Sequence, residues 1–143
     1  MIILDTNVIS EPTKPNGNAR VAAWLDRQDA GSLFVTAINL AELMAGIAML
    51  PVGKRKQALR NALDRFLVQR IVTPILPFDR EAAMAHAVVL LHAKAKRYTL
   101  PVADAQIAAI AVVHGFAVAT RDVSPFRAAG VDVINPWEEG GYE

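Results

Sequence analysis

The sequence predicts an α/β fold in which helices cover both faces of a central, mainly parallel sheet. Short apolar runs alternate with longer segments whose apolar residues recur at helical spacing. The first run, Ile2-Ile3-Leu4, reads as a strand buried on both faces and ends at Asp5. Such a strand places its last residue at the carboxyl edge of the sheet, where α/β proteins bind their ligands. The hydrophobic fraction of 53% suits helices packed on a buried sheet.

The strands and helices are predicted to alternate along one domain that spans residues 1–143. Strands are predicted at residues 2–4, 33–36, 71–76, 116–119 and 131–134, the third being weakened by Pro74. Helical segments are predicted at residues 8–11, 18–29, 38–50, 53–70, 79–95, 101–114 and 123–127. Asn18 and Asp79 are predicted N-caps, Pro101 is tolerated at a helix start, and Gly115 ends its helix.

The composition narrows the class of protein. A net charge of +1 argues against a general attraction to nucleic acid, so any such contact needs a local patch. The absence of cysteine excludes a disulfide framework and a thiolate metal site, and it fits a reducing compartment. No targeting segment is recognisable, and the apolar windows are far shorter than the roughly 20 residues that span a bilayer. We therefore expect a soluble, cytoplasmic protein with no membrane contact.

Four acidic residues occur where a parallel sheet would gather them. Asp5 follows the first strand, Glu42 lies on the helix after the second, Asp104 lies near the start of a later helix, and Asp122 follows the strand at 116–119. Each also has a simpler interpretation, since aspartates cap helices and a helical glutamate can face solvent. Elements that leave the carboxyl ends of parallel strands line one crevice, so the four side chains can converge.

Converging carboxylates favour a bound cation. Without one they repel each other, and at least one of them should take up a proton. A hard divalent cation removes that conflict, and an all-oxygen set of ligands suits Mg²⁺, with Mn²⁺ as a substitute.

Four segments resemble, in order, the motifs of PIN-domain nucleases. The resemblance is closest to the VapC/FitB type of toxin in bacterial type II toxin–antitoxin pairs. The segments are residues 3–11 (ILDTNVISE), 37–43 (AINLAEL), 104–109 (DAQIAA) and 119–122 (ATRD). Residues 76–79 (LPFD) and 135–137 (NPW) extend the resemblance over nearly the whole chain.

The resemblance implies a PIN-like three-layer α/β/α fold and a metal-dependent endoribonuclease that hydrolyses phosphodiester bonds of single-stranded or structured RNA. By this resemblance the catalytic acids are Asp5, Glu42, Asp104 and Asp122, and the most direct metal ligands are Asp5 and Asp104. Many relatives carry Asn at the position of Asp122. Polar neighbours would orient the carboxylates and waters, and these are Thr6, Asn7 and Thr120.

The resemblance also implies protein partners. The family forms homodimers and binds an antitoxin of the VapB/FitA kind, a segment of which lies in a groove near the acids. An arginine of that segment would pair with the carboxylates. The apolar stripe of the helix at 38–50 therefore has a core interpretation and a partner interpretation.

Cationic side chains for RNA occur in two clusters. One lies on the helix at 53–70, where a solvated face is the simpler interpretation. The other consists of Lys94, Lys96, Arg97 and Tyr98, whose ring could stack on a base. Arg121, beside one of the acids, is expected to bind the RNA substrate.

Three alternatives remain open from the sequence. A PIN nuclease in RNA processing would use the same acids without being a toxin. An α/β phosphatase or phosphotransferase would use Asp5 as its nucleophile, but Asn7 replaces the second aspartate that such enzymes need two positions further on. A non-catalytic interaction module on the same fold need not keep all four acids.

Overall fold

A four-stranded parallel sheet forms the centre of the protein. The computed structural model describes residues 1–138, and the predicted domain of residues 1–143 therefore extends beyond the described part. The strands lie in the order β2-β1-β3-β4 and all pair in parallel. They are β1 (Ile2–Leu4), β2 (Leu33–Phe34), β3 (Ala117–Ala119) and β4 (Val133–Ile134).

Helices cover both faces of the sheet. Ile3 and Val118 point into one buried cluster, whereas Ile2, Leu4 and Ala119 point into another. This alternation is the two-residue period of a strand, and each face therefore needs its own helical layer. The helices are α1 (Thr6–Ser10), α2 (Ala19–Arg27), α3 (Ala37–Ala48), α4 (Lys54–Arg70), α5 (Arg80–Ala95), α6 (Val102–His114) and α7 (Val123–Ala128). The predicted three-layer α/β/α architecture is confirmed.

Several predicted boundaries have identifiable causes in the structure. The Asp79 carboxylate accepts a hydrogen bond from the backbone N–H of Ala82, and the Asn18 side chain accepts one from that of Arg20, so both residues are N-caps. Gly115 ends α6 in the left-handed conformation with φ 69°.

The predicted strand at residues 71–76 was wrong. Only Leu76 pairs there, through a single parallel bridge to Thr36. The backbone N–H of Leu76 donates to Val35 at 3.0 Å, and that of Ala37 donates to Leu76 at 2.8 Å. Pro74 lacks a backbone N–H, so the ladder does not extend towards the preceding residues.

The helices of residues 1–138 do not include a candidate membrane span. None of them combines the length and the apolar character that a membrane crossing requires.

Candidate active site

The carboxyl edge of the sheet carries the candidate site. Asp5 directly follows β1 and Thr120 directly follows β3. The backbone N–H of Asp5 donates to the Ala119 carbonyl at 2.9 Å, which holds the two strand ends side by side. α3 leaves β2 and carries Glu42, while the first turn of α6 carries Asp104. The structure therefore brings the four acids predicted from the sequence to one edge.

Asp5 is the most enclosed of these acids, with 6% of its surface exposed. Its Oδ1 accepts hydrogen bonds from the Thr6 backbone N–H at 2.8 Å and from Asn39 Nδ2 at 3.4 Å. Its Oδ2 accepts one from the Thr120 hydroxyl at 2.8 Å. Burial raises the pKa of Asp5, the hydrogen bonds from Thr120 and Thr6 oppose that rise, and nearby negative charges add to it.

Glu42 faces solvent at the rim of the site. The hydroxyl of Thr6 donates to Glu42 Oε1 at 2.9 Å, across 36 positions of sequence. The same hydroxyl oxygen accepts a hydrogen bond from Asn39 Nδ2 at 3.2 Å. Thr6 therefore links the rim carboxylate to the buried polar groups behind it, and its predicted role in orienting carboxylates and waters stays a prediction.

Thr120 and Asn7 fix the backbone around the fourth acid. The Thr120 hydroxyl oxygen accepts a hydrogen bond from the Asp122 backbone N–H at 3.0 Å, and Asn7 Oδ1 accepts one from the Arg121 backbone N–H at 3.3 Å. Asn7 Nδ2 also donates to the Thr120 hydroxyl oxygen at 3.4 Å. Asp122 precedes α7 but makes no side-chain capping bond, so its carboxylate is not committed to the helix.

Asp104 reports the electrostatics of the cluster. Burial first, and then the negative charges of Asp5, Asp122 and Glu42, together raise the pKa of Asp104 to about 6. Four acids thus lie close enough to repel one another, although they come from four separate parts of the chain.

The chemistry of the donors fits a hydrated hard cation. Within residues 1–138, no three acids or histidines form a ready-made ligand cage. Mg²⁺ does not need one, because it keeps several waters and binds through one or two carboxylates. Asp5 and Asp104 could supply those carboxylates, and a cation there would relieve the repulsion that raises the pKa of Asp104.

Asn39 is a buried polar residue that the sequence interpretation missed. It has no exposed surface, and its Oδ1 accepts from the Thr36 hydroxyl at 2.6 Å and from the Thr36 backbone N–H at 3.3 Å. The Asn39 backbone N–H donates back to the Thr36 hydroxyl oxygen at 3.1 Å, which completes a capping box at the start of α3. The Thr36-x-x-Asn39 spacing was the available signal, although asparagine replaces the usual Glu or Gln.

The Arg121 side chain lies over an aromatic ring that the sequence interpretation did not connect with it. Its guanidinium carbon is 5.5 Å from the centroid of the Trp137 ring, which is a cation–π contact. Arg121 is exposed, so its guanidinium is accessible from solvent. Its predicted contact with RNA stays a prediction.

A groove opens beside Glu42, which we call the α3–α4 groove. Its volume is about 330 Å³, and apolar side chains of α3 and α4 form most of its wall. Thr6 and Glu42 lie on the site side, and Arg55 adds a positive charge to the wall. The partly buried Leu43 and Ile47 pack against the core, which confirms the core interpretation for them, and they also line this groove. The partner interpretation of the α3 stripe stays a prediction.

Comparison with known proteins identifies the family. The PIN-domain family model matches residues 2–131. The chain is 49% identical to the plasmid stability protein StbB of Pseudomonas syringae pv. tomato over 96% of the chain and 99% of that protein. It is 47% identical to VapC ribonuclease Y4jK of Sinorhizobium fredii, again over 96% and 99%. It is 44% identical to toxin FitB of Neisseria gonorrhoeae over 97% of the chain and 100% of that protein.

Solved structures agree with the sequence comparison. A chain in the crystal structure of FitAcB from Neisseria gonorrhoeae superposes with a TM-score of 0.89 at 44% identity, covering 96% of this chain and 99% of that one. A chain of FitAB bound to an IR36 DNA fragment gives a TM-score of 0.89 at 43% identity, covering 96% of both chains. From the family model, the relatives and the shared fold, the chain belongs to the PIN-domain family.

Proposed function

We propose that the protein is a metal-dependent endoribonuclease that acts as the toxin of a toxin–antitoxin pair. The observation that carries the proposal is the group of four acids around the buried Asp5 at the sheet edge of a PIN domain. Two relatives that match nearly the whole chain support it, since one is named a VapC ribonuclease and another a toxin.

Each residue of the site has a distinct role in the proposed hydrolysis of a phosphodiester. Asp5 and Asp104 would hold Mg²⁺, with Mn²⁺ as a substitute, and the bound ion would acidify a water and offset charge on the phosphate. Thr120 and Asn39 hold the Asp5 carboxylate in place through the hydrogen bonds to its two oxygens. Glu42 and Asp122 lie at the solvent side of the cluster, where they can orient the attacking water and accept its proton.

RNA would approach from the open side of the site. The exposed guanidinium of Arg121 lies there, held over Trp137, and we propose that it contacts a phosphate of a single-stranded or structured RNA. Asp104 and Glu42, which are more exposed than Asp5, would face this RNA.

The α3–α4 groove suits the antitoxin partner. Apolar side chains of an antitoxin segment would fill the groove, and an arginine of that segment would pair with Glu42 and the acids behind it. Such pairing would displace the cation and block the site. The solved FitAB and FitAcB complexes, which contain chains similar to this one, are consistent with a partner of the VapB/FitA kind.

A second copy of the chain would cover α5. Met84, Val88 and Leu91 are 66%, 61% and 67% exposed and recur at helical spacing, so they form one apolar stripe. We propose that this stripe is the contact of a homodimer. The whole assembly would work in the cytoplasm, where its RNA substrate is found.

The phosphatase alternative is less well supported by the geometry. Such an enzyme needs an acid/base group two positions after its nucleophile, where this chain has Asn7. The Asn7 side chain donates to the Thr120 hydroxyl oxygen and accepts from the Arg121 backbone N–H, and an amide cannot serve as the acid/base. A role in RNA processing would use the same site and differs only in its biological target.

The test is cleavage of single-stranded RNA by the purified chain, with Asp5→Asn as the inactive variant and the exposed Asp29→Asn as the charge-matched control. We expect cleavage that requires Mg²⁺ and is lost in Asp5→Asn only. Growth of a bacterial host should be arrested by the unmodified chain and by Asp29→Asn, but not by Asp5→Asn. Mg²⁺ should also raise the melting temperature of the unmodified chain, because a ligand that binds the folded state stabilises it.

Two outcomes would contradict the proposal. Release of phosphate from small phosphoesters without RNA cleavage would favour the phosphatase. RNA cleavage that persists in Asp5→Asn would remove the acid cluster from the mechanism.

A further inference from the structure

A second cavity lies at the corner where α5 turns into α6, and we call it the corner pocket. Its volume is about 550 Å³, and it is lined by Leu90, Lys94, Arg97, Tyr98, Thr99 and Leu100. The segment that forms it leads directly into α6, whose first turn carries Asp104. Even a fully extended chain from Tyr98 to Asp104 would span no more than about 20 Å, so an extended RNA strand of a few nucleotides could reach from one to the other.

The cations of this pocket are not used for the fold. Neither Lys94 nor Arg97 takes part in the ion pairs found within residues 1–138. Neighbouring Lys96 differs, because its ammonium donates to the Arg127 carbonyl at 3.1 Å.

The cations of α4 are more occupied. Arg70 pairs with Asp26 at 2.8 Å, Arg60 lies 3.6 Å from Asp64, and Lys56 donates to the Ala48 carbonyl at 3.1 Å. Three of the six α4 cations therefore have a partner within residues 1–138, whereas neither Lys94 nor Arg97 takes part in an ion pair there.

Arg97 occupies a backbone position that favours glycine. The N–H of Tyr98 donates to the Ala93 carbonyl and the N–H of Arg97 to the Lys94 carbonyl, which is the Schellman arrangement at the end of α5. Arg97 is the left-handed residue of that arrangement, with φ 57°, where a side chain is normally disfavoured. A cation kept at a strained position indicates a use for its side chain outside the fold.

Tyr98 adds an aromatic surface to the same pocket. Its ring packs against the core cluster under α5 and α6 on one side and lines the pocket on the other. A ring anchored in this way is a fixed platform, and nucleic acid bases stack on such platforms without regard to sequence.

We propose that the corner pocket binds single-stranded RNA next to the scissile phosphate, with Lys94 and Arg97 contacting backbone phosphates and Tyr98 stacking on a base. This inference rests on the proposed ribonuclease function. The pocket contributes to the affinity for the RNA substrate, while the acids carry out the hydrolysis.

The test measures filter binding of a short, unstructured, radiolabelled RNA to the full chain carrying Asp5→Asn, over a range of NaCl concentrations. Lys94→Gln should lower the salt slope by about 0.7, the amount that one lost phosphate contact in a single strand contributes. Tyr98→Leu should weaken binding by about tenfold with little change in that slope, whereas Tyr98→Phe should keep the affinity of the parent. Lys96→Gln is the matched control, with the same charge change on the same segment outside the pocket, and should leave the slope unchanged.

Arg97→Gly separates substrate binding from folding. Glycine relieves the strain of the left-handed backbone, so the melting temperature should rise while RNA affinity falls. A merely structural role for Arg97 would move the two in the same direction or leave affinity unchanged.

A result that contradicts the pocket inference can be distinguished from one that contradicts the proposed function. If the unmodified chain cleaves RNA and the Asp5→Asn parent binds it, but the pocket variants bind no more weakly than Lys96→Gln, the pocket inference is wrong and the proposed function stands. If the parent binds no RNA and the unmodified chain cleaves none, both fail.

Discussion

Asp104 is a residue of the site whose negative charge lowers the stability of the folded protein. It lies in the first turn of α6, where burial and the neighbouring negative charges together raise its pKa to about 6. In the unfolded chain the same carboxyl group titrates near 3.8. The folded protein therefore binds the proton more tightly between these values, and the stability linked to that proton is lost as the pH rises from about 4 to about 6.

Asp104→Asn should remove this pH dependence. At pH 7, without Mg²⁺, we expect the free energy of unfolding to rise by about 1 kcal/mol, a figure reduced from the full shift because the side chain is partly solvated. Urea denaturation at several pH values between 4 and 7 measures it. The exposed Asp29→Asn serves as control, and parallel curves for the parent and Asp104→Asn would show that repulsion in the cluster is unimportant.

Some residues of the site could be predicted from the sequence and others could not. The difference lies in whether sheet topology or tertiary packing brings them to the site. Asp5 and Asp122 follow strands, so the topology of a parallel sheet is enough to bring them together. Asn39 contacts Asp5 across 34 positions of sequence and Arg121 contacts Trp137 across the carboxyl edge, and such partners depend on the final packing. Local spacing contains no information about them.

At the scale of elements, the start of α3 joins a helix cap to the site. Thr36 and Asn39 satisfy the backbone at the helix start, and the remaining amide protons of Asn39 point to Asp5 and Thr6. A residue that usually serves only local structure thus also orients two polar groups of the site.

Asn39→Ala should lower both stability and turnover. Loss of the Asn39 Oδ1 bonds from the Thr36 hydroxyl and N–H is expected to cost about 1 kcal/mol. Loss of the bonds to Asp5 and Thr6 should reduce kcat more than it changes KM. Asn18→Ala is the matched control, because it removes the cap of α2 far from the acids. Chemical denaturation and RNA cleavage rates measure the two effects, and equal loss of kcat in both variants would leave Asn39 with a purely structural role.

The elements themselves were predictable where local chemistry determines them. The caps at Asn18, Asp79 and Gly115 came from residue types with strong positional preferences. The segment 71–76 contains strand-forming residues, yet it pairs only at Leu76. Whether an edge segment pairs depends on the neighbouring strand and on Pro74, which the apolar pattern alone does not weigh.

At the scale of the whole molecule, the fold was predictable because both faces of the sheet are buried. That burial produces short uninterrupted apolar runs, and helices must alternate with them. The surface was not predictable in the same way. The stripe on α5 has the spacing of a core stripe, and only its exposure distinguishes it.

Leu91→Arg should therefore separate a dimer into monomers. A charge in the centre of an apolar contact would have to be buried without a partner, which opposes association. Sedimentation velocity measures the change. Val72→Arg is the control, since Val72 is 65% exposed, close to the 67% of Leu91, but lies outside α5. A monomeric parent chain would contradict the proposed dimer.

The contact between Arg121 and Trp137 gives the chain an internal optical reporter. The chain has two tryptophans, and Trp24 is fully buried, with no hydrogen-bond partner for its indole N–H among the described residues. A small collisional quencher in solution should therefore reach Trp137 and not Trp24. Any ligand that draws the Arg121 guanidinium away from the ring would change the emission of Trp137 alone. Intrinsic fluorescence of the unlabelled protein would therefore report ligand binding at the acid cluster.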